Sequence, residues 1–272
     1  MASKKEKNEM VSIVVPTHNR PSLLARTLNS IINQSYKNFE IVVINDGGVD
    51  VQQIIDAGNS FCDNRIKYIN NKKNSGASTA RNMGLEASTG NYIMFLDDDD
   101  ILLPYSLEFR IYMTKKLGAD VVYTRALQDI WEKADEGDAY ISVHKQLYWD
   151  CEFNKDLMLL QNIAPNSCVL FSRKAWDKSG NYKFDTNLET GEDYDFWIAL
   201  SRNSDFAELK LIDVECSLRK DKTQLTGAKD FTISYPIIYK RWRDTAVNKE
   251  AVIERQNEML KRMNKNPEDY GL

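Results

Sequence analysis

Hydrophobic positions along the chain fall into two alternating patterns. Residues 11–15 ("VSIVV"), 40–44 ("EIVVI"), 66–69 ("IKYI") and 92–96 ("YIMFL") are short runs rich in β-branched and aromatic side chains. Runs of this length predict buried strands. Between them the apolar spacing is helical. Leu24, Leu28 and Ile31 recur at i, i+4 and i+7, with Pro21 suited to the first turn. "VQQIIDAG" predicts a short helix ending at Gly58, residues 76–88 predict another, and Pro104 opens a helix that Gly118 ends. Short strands alternating with helices predict an α/β domain: a Rossmann-like, mostly parallel central sheet with helices on both faces.

Beyond a strand at 121–124 the pattern loosens. Residues 125–165 carry tryptophan, tyrosine and many charges without a clean period. Order returns with a strand at 166–172 ("NSCVLFS") and a helix at 191–203, its Phe196, Ile198, Ala199 and Leu200 facing inward. From Tyr235 to about Lys265, Ile238, Trp242, Val252, Met259 and Met263 mark one or two amphipathic helices. These predict a C-terminal helical extension, packed on the domain or on a second subunit as a homo-oligomer.

Three of the strands end in unusual polar groups. The first runs into "PTHNR" (16–20), the second into "NDGG" (45–48) and the fourth into "DDDD" (97–100). Ligands of open parallel sheets bind beyond the carboxyl ends of the strands. Each segment also has a plainer reading. Asp-Gly is a common turn pair, Asn19 could cap a helix, and a charge run is usually solvated surface. The position of the aspartates directly after a buried strand argues against the last. An EF-hand fails on "DDDDILLPYSLE", because Ile101 and Leu102 stand where an oxygen ligand and a glycine are needed. Four adjacent carboxylates repel one another. A hard divalent cation, Mn²⁺ or Mg²⁺, held by one or two carboxylates and shared with a diphosphate, would relieve that repulsion.

Composition narrows the classes. The 272 residues carry a formal net charge of −4, which gives no case for a nucleic-acid partner. Cys62, Cys151, Cys168 and Cys216 form no C-x-x-C pair, and His18 and His144 are the only histidines, so zinc is not expected. No apolar run approaches the roughly 20 residues of a membrane span. The charged opening "MASKKEKNEM" predicts a disordered leader over 1–10 rather than a signal segment. Reduced thiols and no span predict a cytoplasmic protein, or one peripheral to the inner face of the membrane.

In order and spacing, "VSIVVPTHNR", "EIVVINDGG", "NNKKNSGASTARNMGLEASTGNYIMFLDDDDILLP" and "GEDYDFWIAL" resemble a family 2 glycosyltransferase of the GT-A fold, over roughly residues 11–220. The resemblance implies an inverting, metal-dependent transferase acting on a nucleotide-diphospho-sugar, a UDP-sugar by default. A glycan, lipid-linked or protein-linked acceptor in bacterial surface polysaccharide or glycoprotein synthesis goes with it. Residues 11–104 would then be the nucleotide-sugar-binding half. Residues 105–220 would form the half with the acceptor and the base, and 221–272 a C-terminal loop and helices. Pro16, Thr17, His18 and Asn19 would line the nucleotide loop. Asp46 would accept from the pyrimidine ring, and Gly48, where the family usually has serine, would be harmless. Arg81 would lie near the nucleotide. Asp97 and Asp98 would contact ribose and phosphate, and Asp99 would ligate the metal, with Asp100 behind it. Asp193 would be the general base and Glu192 would orient the acceptor. Without the resemblance, "GEDYDFW" would read first as a helix start with acidic residues favoured by the dipole.

Many family members carry a histidine downstream of the base; none follows Asp193 here. The stretch "ECSLRKDKTQLTG" (215–227) predicts instead a mobile basic loop whose Arg219 or Lys220 supplies charge to the leaving diphosphate. Loops at 125–165 and 181–190 would set donor and acceptor. Two other classes share the pattern. A sugar-phosphate nucleotidyltransferase would be expected to show a glycine-rich basic first loop, which "PTHNRPS" lacks, and a non-catalytic nucleotide-binding module would not need Asp99 and Asp193.

Overall fold

The four apolar runs of the first half are all strands: Val11–Thr17 (β1), Phe39–Asp46 (β2), Ile66–Asn71 (β3) and Tyr92–Phe95 (β4). In this computed structural model, which describes residues 9–62, 64–133, 140–148, 153–219 and 230–272, they pair in parallel in the order β3-β2-β1-β4. Helices Pro21–Ile32 (α1), Gln52–Phe61 (α2) and Ala77–Ala87 (α3) connect them. Leu24, Leu28 and Ile31 of α1 are buried, as their spacing requires. Helix α2 runs past Gly58, where the sequence predicts a stop. A Cβ there would come within 2.6 Å of Ile66 Cδ1, so the glycine serves close packing on β3 rather than termination.

Crossovers between parallel strands are right-handed. The chain moves outward from β1 to β2 to β3 and then returns across β1 to β4. Helices α1 and α2 therefore share one face, where they touch, and α3 covers β1 and β2 from the other. The reversal falls between β1 and β4, and a crevice opens there beyond their carboxyl ends. "PTHNR" and "DDDD" meet at that point.

The second half completes one nine-stranded sheet. Its strands are Ile101–Leu102 (β5), Val121–Lys133 (β6), Tyr140–Tyr148 (β7), Val169–Ser172 (β8) and Phe206–Arg219 (β9). Strand β8 is antiparallel to both β4 and β6, β9 is parallel to β6, and β5 and β7 pair antiparallel with β9 and β6. The sheet is thus parallel in its first four strands and mixed beyond, within the α/β architecture expected. Residues 215–219 correct the expectation of a loop. They are the end of β9, in register with Leu127–Trp131 of β6. The rest of the predicted loop, Lys220 included, lies outside the described residues. Residues 1–8 of the expected leader lie outside the described residues, whereas Met10 is held to the sheet: its carbonyl accepts from Tyr92 N at 3.1 Å and its N donates to Asn91 at 3.1 Å.

Among the described residues, four further α-helices lie in the second half and its extension besides α4, Ser106–Leu117, which Gly118 closes at φ +64°. They are Arg173–Lys178 (α5), Glu192–Asn203 (α6), Tyr235–Trp242 (α7) and Lys249–Arg262 (α8). The last two pack on their own domain. Tyr239 Oη donates to the Leu160 carbonyl at 2.7 Å and Gln256 Nε2 to the Leu159 carbonyl at 2.8 Å. Arg241 and Trp242 Nε1 both donate to the buried Asp195. An aromatic cluster joins β4 to α6: Phe184 and Phe196 stack at 4.4 Å and Phe95 meets Phe184 edge-on at 4.9 Å. That packing sets the start of α6 against the end of β4. Among the described residues no helix is long and apolar enough to cross a membrane.

Candidate active site

A cleft of about 860 Å³ lies over the carboxyl ends of β1, β2 and β4 and the start of α6. Every sequence-predicted site residue borders it except Lys220, which lies outside the described residues.

At the nucleoside end, His18 Nδ1 lies 2.8 Å from the Asp46 carbonyl oxygen. A carbonyl only accepts, so Nδ1 carries the proton. Nε2 is then the acceptor for the amides of Asn19 and Asn74, at 3.0 and 3.2 Å. Asn19 is left-handed at φ +56° and its Oδ1 accepts from Val49 N at 2.9 Å. Gly48 packs on this residue: a Cβ would stand 2.6 Å from Asn19 N. The departure from serine at this position is therefore matched to its neighbour rather than neutral.

Asp46 is held by its own turn. Its carboxylate accepts from Asn71 Nδ2 (2.9 Å), from Ser75 N on both oxygens (2.9 and 3.0 Å) and from Gly76 N (2.7 Å). These donors fill the roughly four lone-pair sites of a carboxylate. Asp46 thus anchors the turn leading into α3, and a base ring would have to displace one of these donors to be read by it.

The four aspartates part company. Asp98 turns inward, accepting from Thr17 Oγ1 at 2.7 Å and Arg20 at 3.1 Å. Burial pushes its carboxyl up to about 6, reinforced by Asp99 and opposed by Arg20. Asp100 is buried against Ser167 Oγ (2.5 Å) and Ser217 N (3.0 Å), and burial holds it well above the usual range. All four border the cleft, and Asp97 is the exposed one. Asp97 is 39% exposed and pairs with Arg81 at 2.8 Å. Asp99 meets Arg20 at 3.2 Å and Arg219 at 3.1 Å. These oxygen donors suit Mn²⁺ or Mg²⁺. Among the described residues no three His, Cys, Asp or Glu side chains cluster as an all-protein cage. A cation at this turn would have to be shared with phosphate oxygens of a ligand, the usual arrangement for Mg²⁺.

Opposite stands the start of α6. Arg81, 5% exposed, donates to Glu192 Oε1 at 2.8 Å as well as to Asp97. One guanidinium thereby joins the end of β4 to the start of α6. Arg81 borders the cleft, as expected of it, while linking the two carboxylate groups. Asp193 borders the cleft and is half-buried. It accepts from Asn162 Nδ2 at 3.0 Å and from Tyr194 N at 2.7 Å. Burial pushes its carboxyl up to about 7, Glu192 adds to the rise, and Arg81 opposes it. A carboxylate near 7 can hold or release a proton at neutral pH.

Two residues escaped the sequence reading. Arg20 closes the quoted "PTHNR", and its place one step from a carboxylate cluster was the available signal. Asn162 lies in the unpatterned stretch 125–165, and nothing local marks it.

Comparison with known proteins fits this geometry. Residues 12–180 match the family model described as "Glycosyl transferase family 2". An uncharacterised glycosyltransferase of Rickettsia bellii is 30% identical over 74% of this chain and 28% of its own length. WcaA of Escherichia coli K12, a glycosyl transferase assigned to colanic acid biosynthesis, is 29% identical over 71% of this chain and 66% of its own. The chain therefore spans between about a quarter and two thirds of these relatives. The crystal structure of S. aureus TarS 1–349 in complex with UDP-GlcNAc superposes with a TM-score of 0.71 at 18% identity, covering 93% of this chain and 72% of that one.

Proposed function

The chain belongs to glycosyl transferase family 2, and from that premise we propose that it moves a sugar from a nucleoside-diphosphate sugar, a UDP-sugar, to an acceptor hydroxyl with inversion at the anomeric carbon. The setting is bacterial glycan or surface polysaccharide synthesis, supported by the likeness to WcaA. The UDP-GlcNAc bound to the similarly folded TarS supports the donor class.

The observation that carries the reading is Asp193. It faces the cleft across from the aspartate turn, is oriented by Asn162, and is raised to about 7. An acceptor hydroxyl is a weak nucleophile until a carboxylate takes its proton as the new bond forms. Asp193 receives that proton. The acceptor oxygen bonds to the anomeric carbon, and the bond from that carbon to the β-phosphate oxygen breaks, its electron pair leaving on the nucleoside diphosphate. One displacement inverts the centre. Pro16, Thr17, His18 and Asn19 line the nucleoside end, Asp97 faces ribose and phosphate, and Glu192 helps place the acceptor. Asp99, with Asp97 beside it, would hold Mn²⁺ or Mg²⁺, which neutralises charge on the departing phosphates.

The test is a panel of UDP-glucose, UDP-galactose, UDP-GlcNAc and GDP-mannose, scored for nucleoside diphosphate release with Mn²⁺. One donor turned over, and silenced by chelation, is the expected result. Pyrophosphate release from a nucleoside triphosphate and a sugar phosphate would instead make the protein a nucleotidyltransferase.

A further inference from the structure

Asp99 is where the two halves of the fold meet through charge. Arg20 leads from β1 into α1, and Arg219 is the last residue of β9. Both guanidiniums end on the same carboxylate oxygen, Asp99 Oδ2, at 3.2 and 3.1 Å. The Asp99 and Arg219 side chains are 6% and 12% exposed, so water and salt screen this contact little. A second groove of about 420 Å³, bordered by Arg26 and Trp131, shares Arg20, Asp99 and Arg219 with the main cleft. The arginine pair is therefore a partition with space on both sides, and its guanidiniums have room to turn.

We propose that Arg20 and Arg219 are a diphosphate clamp, held ready on Asp99 before the donor binds and exchanged onto the donor's phosphate oxygens when it arrives. The proposal rests on the glycosyl-transfer reading and adds Arg20 to its catalytic residues. It also widens the expectation for Arg219 into a pair with a resting counter-ion.

The physical basis is exchange of like for like. A guanidinium fork fits phosphate oxygens as it fits a carboxylate. A diphosphate carries more negative charge than one carboxylate, so it competes for the same donors without stripping water from bare cations. The pair is already aimed, Arg219 largely covered and Arg20 27% exposed, which is the preorganisation that makes such groups effective. When the bond from the anomeric carbon to the β-phosphate oxygen breaks, the two guanidiniums receive the charge that develops there. Asp99, relieved of both arginines, can then face a cation. Its role depends on conditions: it competes with the diphosphate when no cation is present and supports binding when one is.

That dual role is what calorimetry can read. UDP and uridine are titrated into the wild type, Arg20→Ala, Arg219→Ala and Asp99→Asn, in EDTA and in Mn²⁺. In EDTA, each arginine variant should lose about tenfold or more in UDP affinity while uridine affinity holds, because a charge-assisted bond to phosphate is gone. Asp99→Asn should bind UDP severalfold more tightly than the wild type in EDTA, yet gain little from Mn²⁺. Arg20→Lys and Arg219→Lys, which keep the charge and lose the fork, should fall between. Asp99→Asn carries the test alone if an alanine variant does not fold. The clamp is overturned if UDP affinity in EDTA is the same in the arginine variants, if Asp99→Asn does not tighten it, or if the wild type binds UDP only with Mn²⁺. Failure to bind UDP under either condition would instead count against the donor assignment.

Discussion

Asp193 has its proton affinity set by residues far apart in the chain. Burial and Glu192 raise it, while Arg81 and the Asn162 amide lower it, leaving it at about 7. If it is the base, kcat/KM for transfer should rise with pH through an inflection near 7, since only the ionised form accepts a proton. Asn162→Ala removes a donor to the charged form and should move that inflection upward, which a pH-rate profile would register. The same carboxyl affects stability. An unfolded Asp titrates at about 3.9. Between there and about 7 the folded chain holds a proton that the unfolded chain has lost. Stability therefore falls as pH rises through that window and stays at its reduced level above it. Asp193→Asn should raise Tm, with the widest gap from wild type above pH 7 and little gap near pH 4. The resemblance pointed to "GEDYDFW", and the structure places its Asp193 on the cleft. The tuning of that carboxyl was not legible, because Asn162 comes from a stretch without pattern.

At the scale of elements, uninterrupted apolar runs announce themselves and alternating strands do not. Strands β1, β2 and β4 are buried on both faces, so each reads as a solid run, and all were predicted within two residues. Strand β9 carries Glu208, Lys210, Asp213 and Glu215 among its apolar residues, and its last five residues passed for a loop. One of those charges is buried with purpose. Asp213 takes a bidentate pair from Arg110 of α4 at 2.7 and 2.8 Å, and Ser106 at 2.8 Å. Arg110, fully buried, also reaches Thr124 and the Ser167 carbonyl, and Ser167 in turn holds Asp100. Breaking a buried pair leaves an uncompensated charge, so Arg110→Ala should cost about 3–5 kcal/mol in denaturant unfolding. The turn after β2 offers a gentler test. Asp46→Ala unties three backbone N–H bonds at the entry to α3. It should lower Tm and weaken binding of UDP and uridine alike, with or without Mn²⁺. A variant that keeps its Tm and loses discrimination between UDP and GDP would restore Asp46 to reading the base.

For the whole molecule, one sheet carries two tasks. Its parallel strands end in "PTHNR" and the aspartates, and its mixed strands and α6 bring Glu192 and Asp193 to the same cleft. Arg81 ties Asp97 to Glu192 across the join, and Arg20 and Arg219 meet on Asp99. The gross architecture was legible because strand–helix alternation and the polar strand ends are local signals. These cross-links were not: Arg81 and Asp97 are 16 positions apart, but Arg20 and Arg219 lie 79 and 120 positions from Asp99, and Arg81 lies 111 from Glu192. The central claim is that Asp193 is the base of an inverting transfer at this cleft. The direct measurement compares donor turnover by wild type and Asp193→Asn, with UDP affinity measured on the same samples. The account predicts turnover reduced about 10²–10⁴-fold, the usual contribution of a general base, with UDP affinity unchanged. Turnover within tenfold of wild type at unchanged affinity would contradict it.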